Sequence, residues 1–371
     1  MPTDQNLQPA TEAGAYIASR RILRLALGAA LALFFSQVVD WPLSFIAPIF
    51  TILLLSLPLP APSVKNALVL IAIMTGMLLS CYLLLPFIQH APMAGLLLLA
   101  LALYGSFLYT ARGGSALLGS LITLSLTLTA SIGSVSIDVF MILPKGLALG
   151  ALSGFVFVWL AHTLLPDLPA SCPVSQSDRQ EPPPKLDPHE TARSALRSLV
   201  IVFPIMFVLL CLDTSISYTI IMIKIATMGQ QATTDKSRIM GRLLLESTIW
   251  GGLGASLAWM VMGIWPSLVM YTLVVALAGL VYGPRIFKGA GMHPKAVMWQ
   301  YAFVTMITVL APTVGSMASG QSAADKFWLR ILNFLFIALY GWFAVAAFDA
   351  FWPGKKSKEM EKSPVQAAVH Q

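Results

Sequence analysis

The chain has 371 residues, of which 57% are hydrophobic and only 11% charged, with three cysteines and a formal net charge of +7. A soluble domain carries about 25% charged residues, so an ordinary water-soluble fold is excluded. The charge is bunched between apolar runs close to the roughly 20 residues a bilayer-crossing helix needs. The period-2 alternation of an outer-membrane barrel is absent.

Taken in chain order, a polar N-terminal stretch (1–19) comes first. With many apolar runs following the first, a cleaved signal peptide is not expected. Six spans are then read at 22–39, 43–59, 65–86, 92–110, 114–134 and 139–165, making a first membrane repeat over 20–165. A proline-rich polar segment, 166–193, cannot bury a core and is read as a cytoplasmic linker. Six further spans follow at 195–213, 216–230, 240–264, 267–283, 296–316 and 327–352, making a second repeat over 194–353. A basic tail, 354–371, ends the chain. The predicted fold class is an all-α polytopic membrane protein with about twelve transmembrane helices arranged as two parallel six-helix repeats.

Orientation follows from the basic residues. With the N-terminus inside, all of the 23 Lys and Arg fall on the inner side except Lys145, Lys224, Lys326 and Arg330. Both termini are therefore expected in the cytoplasm. The net positive charge becomes an inside signature, and no nucleic-acid partner is expected. The repeat reading rests on residues 173 apart: Arg24 and Arg197, Phe34 and Phe207, Asp40 and Asp213, Ser44 and Ser217, Tyr109 and Tyr282, Arg112 and Arg285. Near the sixth span the offset grows by about ten. An even number of spans per repeat makes the two point the same way, with a substrate path expected near their interface.

Charges inside the spans mark candidate function, because each costs about 2.5–3.5 kcal/mol on insertion scales. Lys224 sits in "SYTIIMIKIATMG" (217–229) and Glu246 in "GRLLLESTIWGG" (241–252). The two spans form a hairpin around "QQATTDKSR" (230–238). Lys224 precedes Gln230 by about 9 Å of helical rise, so a Lys224–Glu246 ion pair is expected. One reading makes the pair a structural pin. The other has Lys224 bind a substrate anion while Glu246 acts as counter-ion or proton carrier. Toward the outside, Lys145 and Arg330 open the sixth span of each half and are candidate anion-attracting groups. Asp40 and Asp213 close the first span of each half and are candidate counter-ions. The Gly-rich stretches "GGLGA" (251–255) and "GGSALLG" (113–119) are read as sites of close helix contact.

No metal or cofactor is expected. The cysteines lack ligand spacing, the histidines are scattered, and no phosphate-binding loop or nucleophile–base constellation is visible, so no enzyme is expected.

The second half, "ARSALRSLV…SYTIIMIKIATMG…SRIMGRLLLESTIWGGLGA", resembles the fusaric acid resistance and aromatic acid exporter superfamily. Arg193 and Arg197 stand in its basic first helix. Ile220 to Met228 stand in its apolar second helix. Arg242, Gly251 and Gly252 match the inner arginine and glycine-rich third helix. The resemblance implies a multi-pass protein of the bacterial inner membrane. It implies export of small organic carboxylic acids, aromatic ones among them, and a periplasmic membrane-fusion adaptor as a partner. The chain departs from the longer members in having only a short linker and tail. The reading is a proton-coupled efflux permease, with the bilayer and a small organic anion as partners and a homo-oligomer left open. An uncoupled anion channel and a non-transporting scaffold of an envelope assembly stand as alternatives.

Overall fold

The computed structural model describes residues 7–41, 43–133, 137–166, 188–211, 225, 228–230, 239–289, 291–318 and 323–352. Most of the 166–193 linker, the 354–371 tail, nearly all of the span read at 216–230, and Asp213 and Lys224 lie outside the described residues.

Twelve α-helices are present among the described residues: α1 Leu7–Val39, α2 Ile46–Leu55, α3 Val64–Ser80, α4 Leu85–His90, α5 Pro92–Ala111, α6 Ala116–Gly133, α7 Ile137–Leu164, α8 Pro188–Cys211, α9 Ile239–Ile264, α10 Leu268–Ile286, α11 Ala296–Ala318 and α12 Ala323–Phe351. Eleven of them answer to predicted spans. The twelfth, α4, arises because the span read at 65–86 is interrupted by a 3₁₀ turn, Cys81–Leu84. Pro86 explains the break: its ring crowds the carbonyl four residues back and it offers no N–H to the ladder. The polar N-terminal stretch joins the first helix. From Leu7 it is helical and continuous with the first span.

Some boundaries have visible causes. Ser267 adopts an extended conformation and its hydroxyl accepts the Met270 N–H at 3.1 Å, capping α10; Ser is a favoured residue for that task. Pro92 opens α5 at the first turn, where its missing N–H costs nothing. Asp40 takes a positive φ of 50° just past α1, and Leu43 follows at 64°. A left-handed Leu is strained. A two-residue hairpin, β1 Phe287–Lys288 with β2 Gly291–Met292, antiparallel, joins α10 to α11.

Eight helical stretches are long and apolar enough to cross a membrane: Gly14–Val39, Val64–His90, Pro92–Ala111, Phe140–Leu164, Pro188–Val208, Leu245–Ile264, Leu268–Ile286 and Phe327–Phe348. At most half of each such stretch is buried. The exposed remainder carries Leu97, Leu101, Leu257, Met260, Ile264, Leu332 and Phe343, an exterior that suits lipid and not water. Three shorter apolar helices, Ile46–Leu55, Leu118–Ala130 and Ala296–Ala311, are instead largely buried. The protein is a multi-pass membrane protein by helix length and hydropathy.

By packing, the chain divides into two compact units, each drawn from both sequence halves. The first comprises Met1–Ser80, Ser136–Ser177 and Glu246–Leu335. Its most extensive helix pair is α1 on α10. Gly279 permits it: a Cβ there would lie 2.6 Å from the Ala26 Cα. The short α2 packs against α1, α7 and α11, with Ile46, Ala47, Thr51, Ile52 and Leu55 buried. The second unit comprises Cys81–Val135, Asp178–Leu245 and Phe336–Gln371. Its most extensive pair is α5 on α8, with α5 also on α4 and α6.

Candidate functional site

The charged residues singled out from the sequence fall in different settings. Glu246, on α9, is about one-fifth exposed and its Oε2 lies 3.3 Å from the Nζ of Lys295, just before α11. The expected partner, Lys224, lies outside the described residues, as does Asp213. Lys145 is exposed on α7, one residue after Pro144. Arg330 is half-buried on α12, and Asp40 is exposed at the end of α1.

Around Glu246 the first unit builds an aromatic and basic cluster. The Tyr282 hydroxyl on α10 donates to the Trp250 carbonyl on α9 at 3.0 Å. The Tyr282 ring stacks near Phe303 at 5.5 Å and meets Trp299 at 6.0 Å. Trp250 and Trp299 lie 5.3 Å apart. The Arg285 guanidinium lies over the Trp299 ring at 4.8 Å and donates to the Val281 carbonyl at 2.9 Å. The glycines of "GGLGA" allow this closeness. A Cβ at Gly251 would lie 2.6 Å from the Ala302 carbonyl oxygen, and one at Gly254 would lie 2.3 Å from the Tyr282 hydroxyl. Every one of these rings is used against another part of the chain, so the cluster locks α9, α10 and α11 together.

The second unit holds a different centre, which the sequence reading did not single out. Gln230 is buried, and its amide nitrogen donates to Thr123 Oγ1 at 2.5 Å, to the Gly119 carbonyl at 2.8 Å and to Ser106 Oγ at 3.3 Å. Its amide oxygen accepts from Thr110 Oγ1 at 3.2 Å. Ser106 and Thr123 share a hydrogen bond of 2.9 Å, and Ser106 also donates to the Gly119 carbonyl at 3.0 Å. Ser106, Thr110 and Thr123 are all buried. Along α6, Ser125, Thr127 and Thr129 are buried too, Thr127 and Thr129 bonding back to carbonyls a turn earlier. A membrane helix with this many buried hydroxyls satisfies them internally or offers them to something polar. The signal was present in "SLITLSLTLTAS" (120–131), where a hydroxyl recurs every second or third residue in a chain otherwise apolar. Gln230 carried none, since nothing local distinguishes it from a loop residue.

The family model described as "Protein of unknown function (DUF2955)" matches residues 21–161. That is less than half of the chain, and it covers the region of the first six predicted spans. The family's description names no function, and the match by itself shows no link to the exporter superfamily. No curated protein matches the chain, and no solved structure does. Helix length, hydropathy and this similarity together describe a multi-pass membrane protein of unknown function.

Proposed function

We propose that the chain is a permease for a small organic anion, an aromatic or related carboxylic acid, built from two parallel six-helix repeats. Three parallels between the compact units support the repeat. In the first unit, α1 packs on α10, the fourth predicted span of the other half. In the second unit, α8, which matches α1 at the 173-residue offset, packs on α5, which matches α10. Arg20 donates to the Pro166 carbonyl at 2.7 Å, and Arg193, 173 residues on, donates through Nε to the Trp352 carbonyl at 2.9 Å. Each thus ties the start of a first span to the end of the sixth in the same half. Arg24 and Arg197, again 173 apart, are both 4% exposed.

The observation that carries the transport reading is the buried amide and hydroxyl centre at Gln230. Gln230 ends the segment that bears Lys224. In this reading the polar centre extends to Lys224, six residues earlier in the sequence, and gives an anion a route that apolar side chains deny it. In this reading Lys224 binds the anion. Glu246, with Lys295 beside it, serves as the proton carrier, and Lys145 and Arg330 draw the anion on the outer side. A periplasmic adaptor protein is part of the proposal through the exporter resemblance, and self-association is left open.

Purified protein in liposomes, loaded with radiolabelled benzoate under an imposed pH gradient, tests it. Wild type should move benzoate faster than empty liposomes, with the rate following the gradient. Lys224→Met should abolish the flux, and Glu246→Gln should leave flux that ignores the gradient. Flux absent in wild type, or unchanged in Lys224→Met, would overturn the proposal. Flux indifferent to the gradient in wild type would make the protein a channel.

A further inference from the structure

The same end-of-helix pattern, Tyr-x-x-Arg, occurs twice: "YTAR" (109–112) closes α5 and "YGPR" (282–285) closes α10. The two copies are used differently. In α10 the tyrosine is buried, its hydroxyl is spent on Trp250, and the arginine is covered by the Trp299 ring. In α5 Tyr109 is 40% exposed. Among the described residues the Arg112 side chain makes no hydrogen bond, ion pair or ring contact. It lines a cavity of about 380 Å³ together with Gly105, Leu108, Tyr109, Gly113 and Gly114. This space is an open groove along the end of α5, and not an enclosed pocket.

The next helix explains the difference. Trp299 is the fourth residue of α11, and the fourth residue of α6 is Gly119. Gly119 lies hard against Thr110, so α6 closes onto α5 and supplies no ring to cover the arginine. The cavity is nonetheless held in shape. The Ser115 N–H donates to the Tyr109 hydroxyl at 3.3 Å, and a Cβ at Gly114 would strike the Tyr109 ring at 2.6 Å. Gly113 turns the chain at a φ of 91°. Tyr109 is thus exposed and yet positioned, and Arg112 beside it is an exposed charge with no side-chain partner among the described residues. Toward the helix interior the exposed Leu101 and Gly105 continue the surface as an apolar strip.

We propose that this cavity binds an organic anion: an oxyanion head on the Arg112 guanidinium, and an apolar, preferably aromatic, body against Tyr109, Leu108 and Gly105. The Trp299 ring over Arg285 is the chain's own stand-in for that body. Guanidinium groups pair with carboxylate or phosphate and stack on flat rings at once. The head group can come from a dissolved aryl carboxylate or from an anionic phospholipid, and both present the same chemistry to Arg112. The site rests on the permease reading only in its role as an entry point, since binding itself requires no transport.

The test uses the full chain in phosphatidylcholine nanodiscs with the photoreactive aryl carboxylate 4-benzoylbenzoate and no gradient. Saturable labelling should map to residues 105–114. Arg112→Gln should weaken it about tenfold, the scale of one lost charge-assisted contact. Arg112→Lys should retain part of it, and Arg285→Gln should leave it intact. Monodisperse elution of each variant guards against misfolding. Competition by dissolved benzoate alone supports a soluble acid as occupant, and competition by added phosphatidylglycerol supports a lipid head group. Labelling that is unsaturable, or indifferent to Arg112→Gln, overturns the site. Labelling that behaves as expected in a protein that moves no benzoate leaves the site standing and removes only the permease.

Discussion

Replacing Gln230 by leucine tests the buried polar centre most directly. The substitution keeps the apolar bulk and removes the amide's two shortest bonds, 2.5 Å to Thr123 and 2.8 Å to the Gly119 carbonyl. It also removes the acceptor used by Thr110. The groups left behind are not orphaned. Thr123 and the Gly119 carbonyl both retain Ser106, and Thr110 retains the Ser106 carbonyl at 3.2 Å. The full penalty of a buried unsatisfied group therefore does not apply. Interhelical hydrogen bonds in membranes average about 0.6 kcal/mol each, so the loss should be about 1–2 kcal/mol. Thr123→Val removes one of the same bonds and should cost about 0.5–1 kcal/mol. Because the two changes share a bond, the double variant should be about 0.5 kcal/mol more stable than the sum of the two losses implies. The assay is reversible unfolding of purified protein in mixed micelles, followed by circular dichroism as SDS is added. If the two changes add to within about 0.2 kcal/mol, the amide does not bond Thr123 and the polar centre is not assembled as described.

Arg20→Gln and Arg193→Gln should each lower stability by up to about 1 kcal/mol, because each loses a charge-assisted bond to the carbonyl closing a sixth span, with the larger loss at Arg193, which also pairs with Glu190 and lies over Phe348; no loss from either change in the same unfolding assay would refute these ties. Glu246→Gln should cost less than about 1 kcal/mol, since Lys295 is about half exposed, and the wild-type advantage should shrink at high salt; an advantage insensitive to salt would show that Glu246 is held by something other than this pair. Gly279→Val should destabilise by about 1–3 kcal/mol, because the added bulk meets Ala26 backbone that cannot yield; an unchanged unfolding midpoint would refute the close α1–α10 contact. In a variant lacking native cysteines, an impermeant thiol reagent applied to intact cells should miss thiols introduced at 180 and 360 and reach one at 320; labelling at 180 would reverse the topology.

The class of the molecule and the places where its helices begin and end were legible along the chain, because both depend on neighbours in sequence. Hydropathy over about twenty residues is a local sum, and Ser267 and Pro92 act within a turn of themselves. The Pro86 break was equally local, and was missed only because an apolar run reads the same with or without a kink. What packs on what is another matter. That α1 packs most extensively on α10 depends on Gly279 meeting Ala26 across more than 250 residues of chain. Lys295 stands beside Glu246, a neighbour 49 residues on that the hairpin reading did not consider, while Lys224 lies outside the described residues. Charge attraction in a list of residues has no direction until helix faces are assigned. Two copies of one motif, at Tyr109–Arg112 and Tyr282–Arg285, read alike in sequence and differ in space. Whether a ring covers the arginine is decided by the neighbouring helix, which brings Trp299 to one copy and Gly119 to the other.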